Sequence, residues 1–435
     1  LQSKKFEKAI SFFDKKINLD KNNIGAYNNL GVSLQQLKKF EEAVKVYEKV
    51  LTFKPDFTDA LNNIATCLAN LKKYHQAISN YEKILKITKN NFVVHNNLGN
   101  IYKELNEYKK SVENYNKALQ INPDYDLAHL NLGDTLIELK DYYEALKNYK
   151  NLIKLKPNYQ FIKGKILHTK MLISNWENYD NDLKNIFKSL DNNEEVINPF
   201  SILSLTEKIN YQRIASEIYS NYKFSKHLEK KININKNNSK IKLGYFSPDF
   251  CEHPVLHLIF DVFKNHDKSK FEIFAFSFGP RKKDKMTYEV KKYFNKFIDI
   301  NEKADEEVAM LSRNMGIDIA IDLCGFTNFN RAGIFSYGAA PIQINYLGYP
   351  GTMGTRFIDY IIADKIVIPE NHKLNYSEKV VYLPNCYQAN MTKKDISKKD
   401  ITRNEEGLPT NAFVFCNFNA NYKITPDMFK IWMKI

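Results

Sequence analysis

With 435 residues, 43% of them hydrophobic and 26% charged, the chain can bury a core for two or three domains and is too apolar to be disordered. The 64 Lys and Arg against 50 Asp and Glu leave a formal charge of +14, but the lysines are interleaved with Asn, Glu and Asp throughout, and no RNA- or DNA-binding signature goes with them, so no nucleic-acid partner is expected. No run reaches the ~18 to 20 apolar residues of a membrane helix. The five cysteines are scattered without a CxxC pair, which argues against a disulfide framework and against a zinc site. A cytoplasmic protein without membrane attachment is expected; the chain begins Leu1-Gln2-Ser3 without Met, so an upstream targeting segment stays open.

Residues 20 to 157 repeat with a period of 34. Gly31, Ala65, Gly99 and Gly133 hold a small position, each preceded by Leu or Ile. Ala43, Ala77, Ser111 and Ala145 follow, then Tyr47, Tyr81, Tyr115 and Tyr149. Small residues let paired helices approach while the aromatics fill the gap between neighbouring pairs. The pattern resembles the tetratricopeptide repeat. Phe6, Ala9 and Phe13 share its register, so the array (1–157) is expected to open on a partial repeat and to have continued upstream.

Asn29, Asn63, Asn97 and Asn131 recur one residue before the Leu/Ile position. A row of amides at the ~8 to 10 Å pitch of stacked helices could hydrogen-bond the main chain of a bound peptide without reading its sequence. Alternatively, an Asn-rich composition produces the row by chance. Residues 158–238 stay helical but lose the period, as a capping and linking region would. Chance sequon matches occur at Asn237, Asn375 and Asn390. Asp124/Asp126 and Asp180/Asp182 read as helix-end caps rather than metal ligands.

From Lys240 short β-rich runs alternate with helices. Strands are predicted at Ile241–Phe246, Phe271–Phe278, Ile317–Leu323, Ile342–Leu347, Tyr360–Ala363 and Val380–Leu383, with helices at 284–295, 303–315 and 329–336. This alternation predicts a mostly parallel sheet with helices on both faces over 239–400. A further strand, Ala412–Phe418, and a helix started by Thr425-Pro426 would open a second such unit at 401–435, with the chain stopping inside that helix. Neither GxGxxG nor a P-loop occurs. Three strand-end stretches stand out: Gly244-Tyr245-Phe246-Ser247-Pro248-Asp249-Phe250-Cys251-Glu252-His253-Pro254, then Asp322-Leu323-Cys324-Gly325-Phe326-Thr327, then Asn345-Tyr346-Leu347-Gly348-Tyr349-Pro350-Gly351-Thr352. Together they imply one cleft at the sheet edge. Singly, each reads equally well as turn chemistry, with Asp249 capping a turn and His253 leading into a helix at Pro254.

Repeats followed by GYFSPDFCEHP, DLCGFT, API-Q-INYLGYPGT and FVFCNFNANYKI resemble the protein O-linked N-acetylglucosamine transferases and the related SPINDLY-type O-fucosyltransferases over essentially the whole chain. The resemblance implies an α superhelix followed by the first Rossmann-like half of a GT-B glycosyltransferase. It implies an inverting, metal-independent enzyme with no cofactor, a nucleotide-sugar co-substrate such as UDP-GlcNAc, and a protein acceptor along the repeats. It further implies His253 as catalytic base and Asp249 in proton relay. Phe326, Leu347, Gly348 and Pro350 would line the sugar pocket, and Lys423 would neutralise the leaving diphosphate. Glu252, Val255, Phe326 and Ala420 depart from the animal enzymes, which leaves GDP-fucose or UDP-glucose open as donors. With only the start of the second half present, this stretch alone is expected to be inactive. The rival expectation is a peptide-binding adaptor that performs no turnover.

Overall fold

The computed structural model describes residues 2–224, 239–279, 284–391 and 399–435; the expected boundary near 238, Asn237 and part of the polar stretch 388–408 lie outside the described residues. The chain divides into two compact units, Leu1–Tyr159 and Gln160–Ile435.

In the first unit α1 (Gln2–Leu19) precedes four helix pairs: α2 (Ile24–Gln36) with α3 (Phe40–Phe53), α4 (Thr58–Asn70) with α5 (Tyr74–Ile87), α6 (Phe92–Glu104) with α7 (Tyr108–Ile121), and α8 (Asp126–Glu138) with α9 (Tyr142–Leu155). The periodic small and aromatic positions meet within each pair. A Cβ added at Gly31, Gly99 or Gly133 would lie 2.5 Å from the ring of Tyr47, Tyr115 or Tyr149. The tyrosine rings are fully buried, and their hydroxyls find partners in Gln35, Thr66, Asn100 and Asp134, as a buried phenol requires. Burial pushes all four hydroxyls above their ordinary pKa. The turn inside each pair places Lys38, Lys72, Asn106 or Lys140 at φ of 57 to 61°, so the period shows in the backbone as well as in the side chains.

The second unit begins with α10 (Ile162–Leu172), α11 (Tyr179–Asp191), α12 (Pro199–Ile202) and α13 (Ile209–Phe224). A seven-stranded sheet follows: β1 (Ile241–Ser247), β2 (Phe271–Ser277), β3 (Lys296–Asp299), β4 (Ile319–Asp322), β5 (Ile342–Tyr346), β6 (Tyr360–Ala363) and β7 (Lys379–Tyr382). All neighbouring strands are parallel, in the order β3-β2-β1-β4-β5-β6-β7. Buried side chains alternate across it. Leu243 and Tyr245 of β1 join Phe260 and Phe263 of α14 (Pro254–Asn265) and Val290 of α15 (Lys285–Lys291). Phe246 joins Val308 of α16 (Asp305–Asn314) and Phe335 of α17 (Gly333–Ser336) on the other face.

Three expectations need correction. β3 is an additional edge strand that sequence reading missed, its four residues holding only Phe297 and Ile298 as apolar signal between Lys296 and Asp299. The strand expected at Ala412–Phe418 does not form: a strand needs a neighbour's ladder, none among the described residues offers one, and Phe413 and Phe418 stand 81% and 96% exposed. The helix begun by Thr425 is α18 (Pro426–Trp432), so it ends before Ile435. Among the described residues no helix is long and apolar enough to cross a membrane.

Two substitutions test the repeat geometry by thermal denaturation. Gly99→Val drives a side chain into the Tyr115 ring and should cost about 1 to 3 kcal/mol or more. Lys72→Gly relieves a left-handed residue and should raise stability by up to about 1 kcal/mol.

Candidate functional site

The sheet turns back on itself between β1 and β4, since the chain runs outward from β1 to β3 and then returns to β4 to continue the other way. At such a reversal the connections at the carboxyl ends of the two strands part to opposite faces and leave a crevice. The three sequence stretches leave β1, β4 and β5 at this edge.

The β1 turn carries Asp249 and His253. His253 is the N-cap of α14, its Nδ1 accepting the Val255 N–H at 3.3 Å. The same Nδ1 lies 3.5 Å from Asp249 Oδ2. The two contacts need opposite protonation: capping uses the Nδ1 lone pair, whereas pairing with Asp249 uses an Nδ1 proton. When Nδ1–H faces Asp249, Nε2 is left with a free lone pair, the form that can accept a proton. The imidazole is 42% exposed and the carboxylate 15%. Burial raises the Asp249 pKa, and His253 opposes that rise. Beside them His257 Nε2 lies 2.6 Å from Glu252 Oε1.

The β4 turn is folded around Asp322, whose Oδ1 accepts the Cys324 and Gly325 N–H groups at 2.9 and 3.1 Å. The β1 and β4 turns leave neighbouring strands, the Leu323 N–H donating to the Phe246 carbonyl at 3.1 Å, and burial, Asp322 and Asp249 push the Cys324 thiol up. The β5 turn packs against the same place. A Cβ at Gly348 would sit 2.1 Å from the Leu323 carbonyl oxygen. Leu347 takes φ +74°, where a side chain costs roughly 1 to 2 kcal/mol. Phe326 is buried between Tyr219 and Tyr349. Pro350 is exposed at the rim, where its carbonyl accepts the Tyr376 hydroxyl at 3.1 Å. The rest of the loop is tied down by buried Glu378, which accepts from Thr352 Oγ1 at 2.7 Å and from the Met353 N–H at 2.6 Å.

Asp249, His253, Phe326, Leu347 and Gly348 thus belong to adjoining turns, and Lys423 is carried by a separate element. It sits in a 3₁₀ turn, Asn421–Lys423, that packs on α10: Asn421 Nδ2 reaches the Leu172 carbonyl at 3.4 Å, and the Tyr422 ring lies 5.0 Å from His168. No hydrogen bond or ion pair among the described residues joins Lys423 to the strand-end turns. His168, its pKa pushed down to about 4 by burial and then by Lys165, is a titratable neighbour that sequence reading missed. A cleft of about 810 Å³ at the β1, β2 and β3 ends, lined by Pro248, Cys251, Gly279, Asp299 and Asn301, was equally hidden while β3 was unread. In the first unit Asn29 is exposed, and Asn63, Asn97 and Asn131 are half-buried.

Asp322 also pairs in register with Asn345 of β5, so their side chains share a face one strand spacing apart, ~4.8 Å. Asn345 Nδ2 donates to the Tyr349 carbonyl at 3.0 Å. That leaves Asn345 Oδ1 and Asp322 Oδ2, both buried, without partners among the described residues. With Oδ2 unpartnered in a fully buried place, burial pushes the Asp322 pKa up to about 6. Because the folded value is raised, the stability this group contributes is full below its ordinary value of about 3.8 and is lost as pH rises through about 6, by about 2 to 3 kcal/mol. Asp322→Asn mimics the neutral acid. It should raise the melting temperature at pH 7.5 and leave it nearly unchanged at pH 4, as paired melts of the two proteins would read.

The sequence profile of glycosyl transferase family 41 matches residues 208–399 and 389–435, and tetratricopeptide profiles match 25–57, 58–91, 99–139 and 127–159. The probable UDP-N-acetylglucosamine–peptide N-acetylglucosaminyltransferase SEC of Arabidopsis thaliana is 34% identical over 202 residues, 45% of this chain and 21% of its own length. The UDP-N-acetylglucosamine–peptide N-acetylglucosaminyltransferase of Caenorhabditis elegans is 33% identical over 156 residues, 35% of this chain and 13% of its own. The matches therefore span about a fifth or less of these relatives. In fold, the chain is similar to a mutant O-GlcNAc transferase of Thermobaculum terrenum, with a TM-score of 0.58 at 20% identity, covering 87% of this chain and 65% of that one. The profile match over more than half the chain, on the sheet that carries these turns, makes this protein a member of glycosyl transferase family 41.

Proposed function

We propose that the protein transfers a sugar from a nucleotide donor to Ser or Thr hydroxyls of proteins, with N-acetylglucosamine from UDP-GlcNAc as the preferred pair. The observation that carries this reading is the Asp249–His253 pair at the carboxyl end of β1, beside the sheet reversal of a family 41 domain. The relatives' names supply the donor and the peptide acceptor.

In the proposed reaction the acceptor hydroxyl gives its proton to His253 Nε2, and its oxygen forms the new bond to the sugar anomeric carbon from the face opposite the nucleotide. The old bond to phosphate oxygen breaks, and the diphosphate leaves with the electron pair. Asp249 holds Nδ1–H, so that Nε2 is the free base, and stabilises the imidazolium that forms. Lys423 is assigned to the departing diphosphate, where a cation offsets developing charge. Phe326, Leu347, Gly348 and Pro350 shape the sugar side of the pocket, largely through backbone. The reading needs no metal or cofactor. The groove amides Asn29, Asn63, Asn97 and Asn131 carry the acceptor's main chain.

In the full-length protein, His253→Ala should lower transfer from UDP-GlcNAc to an acceptor peptide at least about 100-fold. Asp249→Asn should lower kcat with little change in donor KM, and Lys423→Ala should likewise suppress turnover. Wild-type rates in the His253 and Lys423 variants would refute the assignment. Calorimetry with UDP-GlcNAc, UDP-glucose and GDP-fucose separates an enzyme from a repeat adaptor, which would give no heat with any of the three.

A further inference from the structure

The groove asparagines are backed by a second row. Asn28, Asn62 and Asn96 stand immediately before Asn29, Asn63 and Asn97. Asn96 is 3% exposed, and its Oδ1 accepts from Asn131 Nδ2 of the next repeat at 3.0 Å across 35 positions. The same separation relates Asn28 to Asn63 and Asn62 to Asn97. In those two repeats the inner Oδ1 is buried and has no partner among the described residues.

A side-chain amide that recognises an extended main chain accepts one N–H through its oxygen and donates one of its own two N–H groups to a carbonyl. The second N–H is left over. We propose that Asn28, Asn62 and Asn96 are positioning residues for main-chain recognition: each takes the surplus N–H of the groove amide one repeat on, Asn63, Asn97 or Asn131, and so fixes which way that amide faces. The inference rests on the reading that the groove carries an extended polypeptide. The Asn96–Asn131 pair is already set in the free chain, and the two inner oxygens without donors take theirs when a main chain occupies the groove.

Binding of a fluorescently labelled, unstructured Ser/Thr-rich peptide to the chain, read by anisotropy, tests this. Asn96→Leu should weaken binding about three- to tenfold, the worth of one neutral hydrogen bond. Asn96→Asp, which keeps an accepting oxygen, should restore most of the loss. The deciding measurement is the double variant: with Asn131→Ala already present, Asn96→Leu should have no further effect, because the inner residue acts only through the outer one. An undiminished loss in that background would mean that Asn96 merely supports the helix, and would overturn the proposal. Weakening by Asn63→Ala, Asn97→Ala and Asn131→Ala with none from Asn96→Leu would sink the inner row alone. If the three outer variants also leave binding intact, the groove reading itself falls.

Discussion

The turns after β4 and β5 can lie together only because residue 348 has no side chain. The Leu323 carbonyl occupies the space where a Cβ would stand, and Gly325, at φ +55°, makes room for Tyr349 in the same way. This backbone-to-backbone approach brings the end of one turn against the start of the other, and Asp322 and Asn345 then serve as stoppers, using side-chain atoms to satisfy peptide groups that the sheet no longer reaches. With these two turns fixed, the β1 turn with its carboxylate and imidazole has a firm wall beside it. Glu378 and the α13 hydroxyl of Ser220, bonded to the Met353 carbonyl at 2.7 Å, brace that wall from behind.

Much of the molecule can be read in the sequence because its signals are local. The repeat is a period, and each periodic residue has one job: glycine admits a ring, tyrosine supplies it, and the residue at 38, 72, 106 or 140 turns the chain. The β1, β4 and β5 stretches are equally readable, since buried parallel strands appear as apolar runs that end in polar turns. What escaped depends on distant partners. β3 is only an edge, visible once β2 is there to hold it. The alternation at 412–418 has the pattern of a strand but no neighbour. Nothing in the letters tells that the Asp322 carboxyl is wholly buried or that Asn345 faces it, because that is a matter of register between strands. The Asn28 row was invisible for the same reason: which atom an amide bonds is decided by a rotamer and a neighbouring helix.

In the proposed reading the two units reach specificity differently. The repeats offer one amide per repeat on a periodic scaffold, so that any stretch of main chain would present the same groups to them. The sheet edge uses strain and close approach at single positions, Leu347 at φ +74° among them, and every atom there has one geometry. Such positions persist only where the surroundings overdetermine them, and they gather where chemistry is done.

His253 closes the first turn of α14 with the same nitrogen that faces Asp249. The tautomer that frees Nε2 as a base carries its proton on Nδ1 and so withdraws an acceptor from a helix end, leaving that amide to solvent or to another acceptor. In the proposed cycle Nδ1 keeps this proton throughout, so a capped α14 and a catalytically competent imidazole exclude one another. A replacement chosen to strengthen the cap would remove the base with it.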